Sequence, residues 1–163
     1  MPLKGWVVNA SPLILLGKAK KLVLLGEIGK QIIVPEAVVH EVSVKEDGKP
    51  ILNFLKEDVR FMVQEKIEVP NYLLAWDLGA GETQVIALAL KLNPERVVLD
   101  DMEARKCAKS LDLNVIGTLG LVARAKHLGL IEQARPVFQE LTDSGMYIDS
   151  TLLDSILVEL GEQ

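Results

Sequence analysis

Arg96-Val97-Val98-Leu99-Asp100-Asp101 is the stretch that decides the fold: a short apolar run, buried in character, that ends abruptly in two adjacent carboxylates. In open α/β sheets, ligands bind in the crevice beyond the carboxyl ends of the strands, so acids placed there point to a site. Two further segments have the same form. Val7-Val8 runs into Asn9-Ala10-Ser11, and Ile32-Ile33-Val34 runs through Pro35-Glu36 into a helical pattern that carries Glu41.

Outward from these runs, strand-like and helix-like signals alternate, which predicts βαβ units and a mainly parallel sheet in an α/β fold. Strands are expected near Trp6 to Asn9, Gln31 to Val34, Arg96 to Asp100 and Leu113 to Ile116, with the alternating stretch Val59 to Val63 as an edge strand. Pro35 suits the first turn of a helix through Val38, Val39 and Val42, which Gly48 to Pro50 is expected to end. Another helix follows through Ile51, Leu52 and Leu55. Gly79-Ala80-Gly81-Glu82 opens a strong helix from Glu82 to Leu92, stopped by Asn93-Pro94. Met102 to Leu111, Thr118 to Leu128, Ile131 to Leu141 and Ser150 to Leu160 complete the helices, the last behind the capping pair Asp149-Ser150.

A chain of 163 residues is long enough for one well-buried core and short for two ordinary domains, so a single domain over residues 1–163 is expected. Charged residues make up 25% and the aliphatic content is high, which describes a compact protein and not a disordered one. The single cysteine, Cys107, excludes an internal disulfide and any cysteine metal cluster, and points to a reducing cytoplasm. Asn9, Ser11 and Pro12 interrupt the N-terminal apolar run, which argues against a targeting segment. Runs such as Val85 to Leu90 fall far short of the roughly 20 residues that span a bilayer. A net charge of −5 argues against general coating of polyanions, while leaving room for a local basic patch beside an acidic site.

Each acid has an ordinary explanation when taken singly. One member of the Asp100-Asp101 doublet is expected to cap the helix that follows, which leaves the other over. Glu82 in a first helical turn favours the helix dipole, Glu41 suits a solvated face, and Asn9 suits a turn after a strand. Together they say more. If the first strand neighbours the one beginning at Arg96, their ends bring Asn9 and Asp101 together, and helices entering from the same edge add Glu41 and Glu82. Carboxylates crowded within ~4 Å repel by about 4 kcal/mol per pair at an effective dielectric near 20, so such a cluster needs a cation. A hard oxygen set without His or Cys suits Mg²⁺ or Mn²⁺. That is the equipment of a metal-assisted phosphodiester hydrolase.

Arg105 and Lys109 lie one helical turn apart behind the doublet, placed either to steer phosphates or, with Glu103 and Lys106, to form a solvated face. His40 and His127 have no ligand companions at useful spacing and read as structural. Gly79-Ala80-Gly81 lacks the Gly-Lys-Ser/Thr ending of a phosphate-binding loop, and no elbow sequence supports a nucleophilic serine.

The ordered motifs Val8-Asn9-Ala10-Ser11-Pro12-Leu13, Val34-Pro35-Glu36-Ala37-Val38 through Glu41, Asp77-Leu78-Gly79-Ala80-Gly81-Glu82, Leu99-Asp100-Asp101 with Ala104-Arg105, and Gly117-Thr118-Leu119-Gly120 cover most of the chain. In that order and spacing they resemble the PIN-domain superfamily of VapC-type, Mg²⁺-dependent ribonucleases. The resemblance is closest to its prokaryotic PIN-like subgroup with an N-terminal Asn-Ala/Thr-Ser-Pro motif. It implies a three-layer α/β/α fold with a central, mainly parallel sheet flanked by helices and extra C-terminal helices. It also implies an endoribonuclease acting on single-stranded RNA, with Glu41, Glu82 and Asp101 as catalytic metal ligands and Asn9 and Asp100 completing the set. Ser11 matches a hydroxyl that orients the metal-binding group, and equally fits a helix N-cap before Pro12. Asn9 departs from the usual Asp, which removes one negative charge from the cage, so a catalytically weak or inactive nucleic-acid or protein-binding module is the competing reading. Toxins of this superfamily act with a small antitoxin, which suggests such a partner and a homodimer.

Overall fold

Val7, Val8, Ile32 to Val34 and Val97 to Leu99 are almost wholly buried, as central strands covered on both faces must be, and this is why their sequences read as unbroken apolar runs. The computed structural model describes residues 3–162. Its strands are β1 (Leu3–Val8), β2 (Ile32–Pro35), β3 (Phe61–Gln64), β4 (Pro94–Val98) and β5 (Val115–Ile116), joined in one parallel sheet of order β3-β2-β1-β4-β5. Val7 pairs with Ile33 on one side and Val97 on the other, Val8 with Val98, and Val98 with Ile116. The chain steps outward from β1 through β2 to β3, then crosses back to β4 on the far side of β1. Neighbouring connections therefore part between β1 and β4, and a crevice opens at their carboxyl ends.

The helices are α1 (Ala10–Lys18), α2 (Val23–Gly29), α3 (Glu36–Ser43), α4 (Gly48–Glu57), α5 (Asn71–Leu74), α6 (Ala80–Leu92), α7 (Met102–Ser110), α8 (Thr118–His127), α9 (Ala134–Asp143) and α10 (Ser150–Glu159). They flank the sheet in a three-layer α/β/α fold. Helix α6 lies across β1, β2 and β4 and against α3, and it is buried nearly all round, from Gly81 through Ala89 apart from Glu82. Burying Val85, Ile86 and Leu88 contributes about 1.5–3 kcal/mol each as an upper estimate, which holds the helix that carries Glu82 to the sheet. One continuous core runs from Trp6 and Leu13 through Leu88 and Val97 to Leu121 and Phe138. Among the described residues, no helix is long and apolar enough to cross a membrane.

Several boundaries differ from the sequence reading. Pro35 ends β2 with ψ 145°, one residue ahead of α3, and so lies outside the helix. Gly48 to Pro50 do not close a helix but form the first turn of α4, where the missing N–H of Pro50 costs nothing. Gly48 is required there because a Cβ would fall 2.0 Å from the Val42 carbonyl oxygen. Helix α9 starts at Ala134, three residues later than the periodicity of Ile131 onward suggests. Helices α2 and α5 are short and carry no capping side chain, and the sequence predicts neither.

Candidate metal centre at the strand ends

Asn9 follows β1 directly, its backbone N–H donating to the Val98 carbonyl at 3.1 Å, so it is fixed at the β1–β4 junction. It occupies the N-cap position of α1, yet its side chain makes no capping hydrogen bond. Asn9 Oδ1 is instead buried without a partner among the described residues, facing Gly81 on α6. A buried carbonyl left unmatched costs about 1–3 kcal/mol, which a fold tolerates where a ligand is to be bound. Ser11 lies in the first turn of α1, exposed, and so is not the N-cap.

Glu41 reaches the same place from α3. A Cβ added to Gly81 would lie 2.9 Å from Glu41 Oε1 and 3.4 Å from Asn9 Oδ1. Gly81 thus keeps open the space where an amide oxygen and a carboxylate converge. Glu82 enters from the first turn of α6, whose geometry Thr83 Oγ1 secures by donating to the Gly79 carbonyl at 2.8 Å. Among the described residues, Glu82 Oε2 is likewise buried without a partner. Burial pushes the Glu82 carboxyl above its ordinary range, and the neighbouring Asp101 and Glu41 carboxylates add to the rise, against the pull of the Gly79 amide. Asn9, Glu41, Glu82 and Asp101 therefore face one cleft at the switch point.

The acidic doublet divides its work. Asp101 caps α7, its Oδ2 accepting from the Ala104 amide at 3.0 Å, and the same side chain faces Glu82. Asp100 turns the other way. Its Oδ1 accepts from the Thr118 amide at 2.7 Å and its Oδ2 from the Thr118 hydroxyl at 2.6 Å, so the leftover acid is spent on seating the start of α8. Thr118, fully buried, is the residue that sequence reasoning missed; only its place in the Gly117-Thr118 motif signalled it. Arg105 is half-buried and donates from Nη1 to the Leu99 carbonyl at 2.8 Å, fastening α7 to the end of the β4 segment. Lys109 is exposed, and Lys106 pairs with Glu103 at 3.3 Å in solvent, as a solvated face requires. His40 and His127 are exposed.

Among the described residues, no group of three or more His, Cys, Asp or Glu side chains is already arranged as a metal cage. The donor set nonetheless fits a hard divalent ion: it is all oxygen, two of its atoms are buried and unmatched, and its carboxyls crowd one another.

A family model described as PIN domain matches residues 5–162. Among solved structures, the chain is similar to a PilT N-terminus domain protein from the hyperthermophilic archaeon Sulfolobus solfataricus, at 16% identity and a TM-score of 0.40, over 88% of this chain and 96% of that one. No curated protein matches the sequence.

Proposed function

The chain belongs to the PIN domain family, and from that premise we propose that it is a divalent-metal-dependent endoribonuclease of single-stranded RNA. The observation that carries the reading is the pair of buried, unmatched oxygens, Asn9 Oδ1 and Glu82 Oε2, at the crevice between β1 and β4. Glu41, Glu82 and Asp101 would hold Mg²⁺ or Mn²⁺, with Asn9 as a neutral donor. When bound, such an ion supplies positive charge to the scissile phosphate and an activated water. The chain's own part is placement. Gly81 keeps the donors apart from any side chain, the α7 cap fixes Asp101, and the buried α6 fixes Glu82. Burial raises the Glu82 carboxyl, and the neighbouring Asp101 and Glu41 charges raise it further, a strain that a bound cation would relieve.

The test is cleavage of single-stranded RNA with Mn²⁺ by wild type beside Asn9→Asp, Glu82→Gln and Asp101→Asn. Loss with the latter two and gain with the first are expected; activity untouched by Asp101→Asn would reject the assignment. The amide at Asn9 favours one alternative, a nucleic-acid or protein-binding module with a weakened metal site. An inactive wild type rescued by Asn9→Asp would establish that reading. A toxin role with a small antitoxin partner, and a homodimeric state, belong to the same proposal. Copurification with the product of the adjoining gene and the solution mass test them. On α10, Leu157 is buried and Leu153 and Ile156 pack against the core, so only Leu152 and Val158 are left at the surface for such contacts.

A further inference from the structure

A cavity of about 610 Å³, within the range of pockets that take small ligands, is built on the same two helices, α3 and α6, that carry Glu41 and Glu82. Its walls come from the helices that carry the acids: Ala37 and His40 stand on α3 beside Glu41, and Thr83 on α6 beside Glu82. The third wall is the segment between β3 and α6, which contributes Lys66, Leu74 and Leu78. Apart from the short helix α5, which carries Leu74, this wall is irregular chain, yet it is held in place. The buried Gln84 side chain accepts from the Ile67 amide at 3.0 Å and donates to the Ile67 carbonyl at 2.9 Å, clasping the segment to α6 as a strand partner would. The cavity is therefore formed in advance. Its lining is apolar on Ala37, Leu74 and Leu78, with a cation on Lys66, a carboxylate on Glu36 and an imidazole on His40. Another cavity, of about 500 Å³ between Gly17, Lys20 and Phe54, lies at the far end of α1 from Asn9 and does not share these walls.

We propose that the cavity between α3, α6 and the Gln84-clasped segment takes the nucleobase of an RNA nucleotide next to the scissile phosphate. The inference rests on the reading of the acidic cleft as an RNA-cleaving site and supplies its base selectivity. Single-stranded RNA offers unstacked bases that can be splayed out into such pockets, stacked on His among other rings and read on their edges. Apolar walls accept the flat face of a base, and Lys66 is placed for the negatively charged backbone beside it. A bare phosphate or a metal ion would need none of the apolar lining.

The experiment titrates each of the four nucleoside 5′-monophosphates into the full chain by amide-resolved NMR, with ribose 5-phosphate as the control that lacks a base. Saturable shifts at Ala37, Lys66 and Thr83 with at least one nucleotide, absent with ribose 5-phosphate, are expected. Ala37→Phe, which fills the cavity, should abolish them. If that variant does not fold, Lys66→Glu on the exposed rim should weaken nucleotide binding about tenfold. No saturable shift in wild type, shifts equal with ribose 5-phosphate, or shifts that survive Ala37→Phe would overturn the inference. The ends of cleaved random-sequence RNA give the companion readout, a preference of about tenfold at one position beside the cut. Nucleotide shifts without RNA cleavage would sink the nuclease reading and leave the cavity assignment standing. Cleavage without shifts would do the reverse.

Discussion

Glu82 and Glu162 are both drawn out of solvent, and the fold treats their charges in opposite ways. Glu162, 6% exposed, is completely matched: Oε2 accepts from the Ala134 amide at 2.7 Å and pairs with Lys126 Nζ at 3.1 Å, while Oε1 accepts from the Arg135 amide at 3.0 Å. Burial pushes its carboxyl up, but the two amides and Lys126 outweigh that and hold it below the ordinary range. Glu82 has an unmatched oxygen and acidic neighbours, and its carboxyl is raised. One glutamate finishes the fold by capping α9. The other is kept unfinished, which stabilises nothing in the free protein and is the expected condition of a ligand-binding group.

The largest effect that tests this contrast is on activity. Glu82→Gln should lower Mn²⁺-dependent RNA cleavage on the order of 10²–10³-fold, because a metal ligand is worth several kcal/mol of transition-state stabilisation. Glu162→Gln, assayed where it is folded, should leave the rate nearly unchanged; equal losses would erase the distinction. In urea the ranking reverses. Glu162→Gln should lose roughly 2–4 kcal/mol of unfolding free energy, through the α9 cap and its charged hydrogen bonds. Metal-free Glu82→Gln at neutral pH should gain roughly 1 kcal/mol by removing like-charge crowding.

Divalent ions sharpen the same comparison. At about 100 times its Kd, Mn²⁺ should stabilise wild type by about 2.7 kcal/mol and leave Glu82→Gln unaffected, read as a shift in Tm. The smallest effect is in pH. A raised carboxyl contributes stability that is present below its unfolded pKa and lost as pH rises through the folded one. The metal-free advantage of Glu82→Gln over wild type should therefore vanish on acidification. The lowered Glu162 carboxyl contributes stability present above its unfolded pKa and lost as pH falls through the folded one, so the deficit of Glu162→Gln should shrink at acid pH. Both trends appear as unfolding midpoints measured across the carboxylate range.

The central strands and the pairing of β1 with β4 were legible because burial on both faces writes itself as Val7-Val8 and Val97-Val98-Leu99, which end together at Asn9 and at the acidic doublet. What was hidden depends on partners distant in sequence. The division of labour between Asp100 and Asp101 is set by Thr118, which approaches only when α8 docks. The start of α9 is set by Glu162, whose carboxylate takes the Ala134 and Arg135 amides, and no local pattern around Ile131 records that. Gly48-Lys49-Pro50 misled for a different reason: glycine and proline end helices more often than they begin them, and here close backbone contact with Val42 and tolerance of Pro50 in a first turn prevailed.

The tether between Asp101 and Ala104 bears on which ions the proposed centre can discriminate. With Oδ2 accepting the Ala104 amide, Asp101 would offer an incoming cation chiefly its other oxygen, and chelation through both would compete with the α7 cap. Large ions that favour chelating carboxylates and high coordination numbers gain little from such a rigid single point. Small octahedral ions, which take one oxygen from each acid and keep their waters, lose nothing by it. In the proposed centre the helix cap would thereby act as a size filter, with calcium expected to occupy the cleft poorly where magnesium or manganese is accepted.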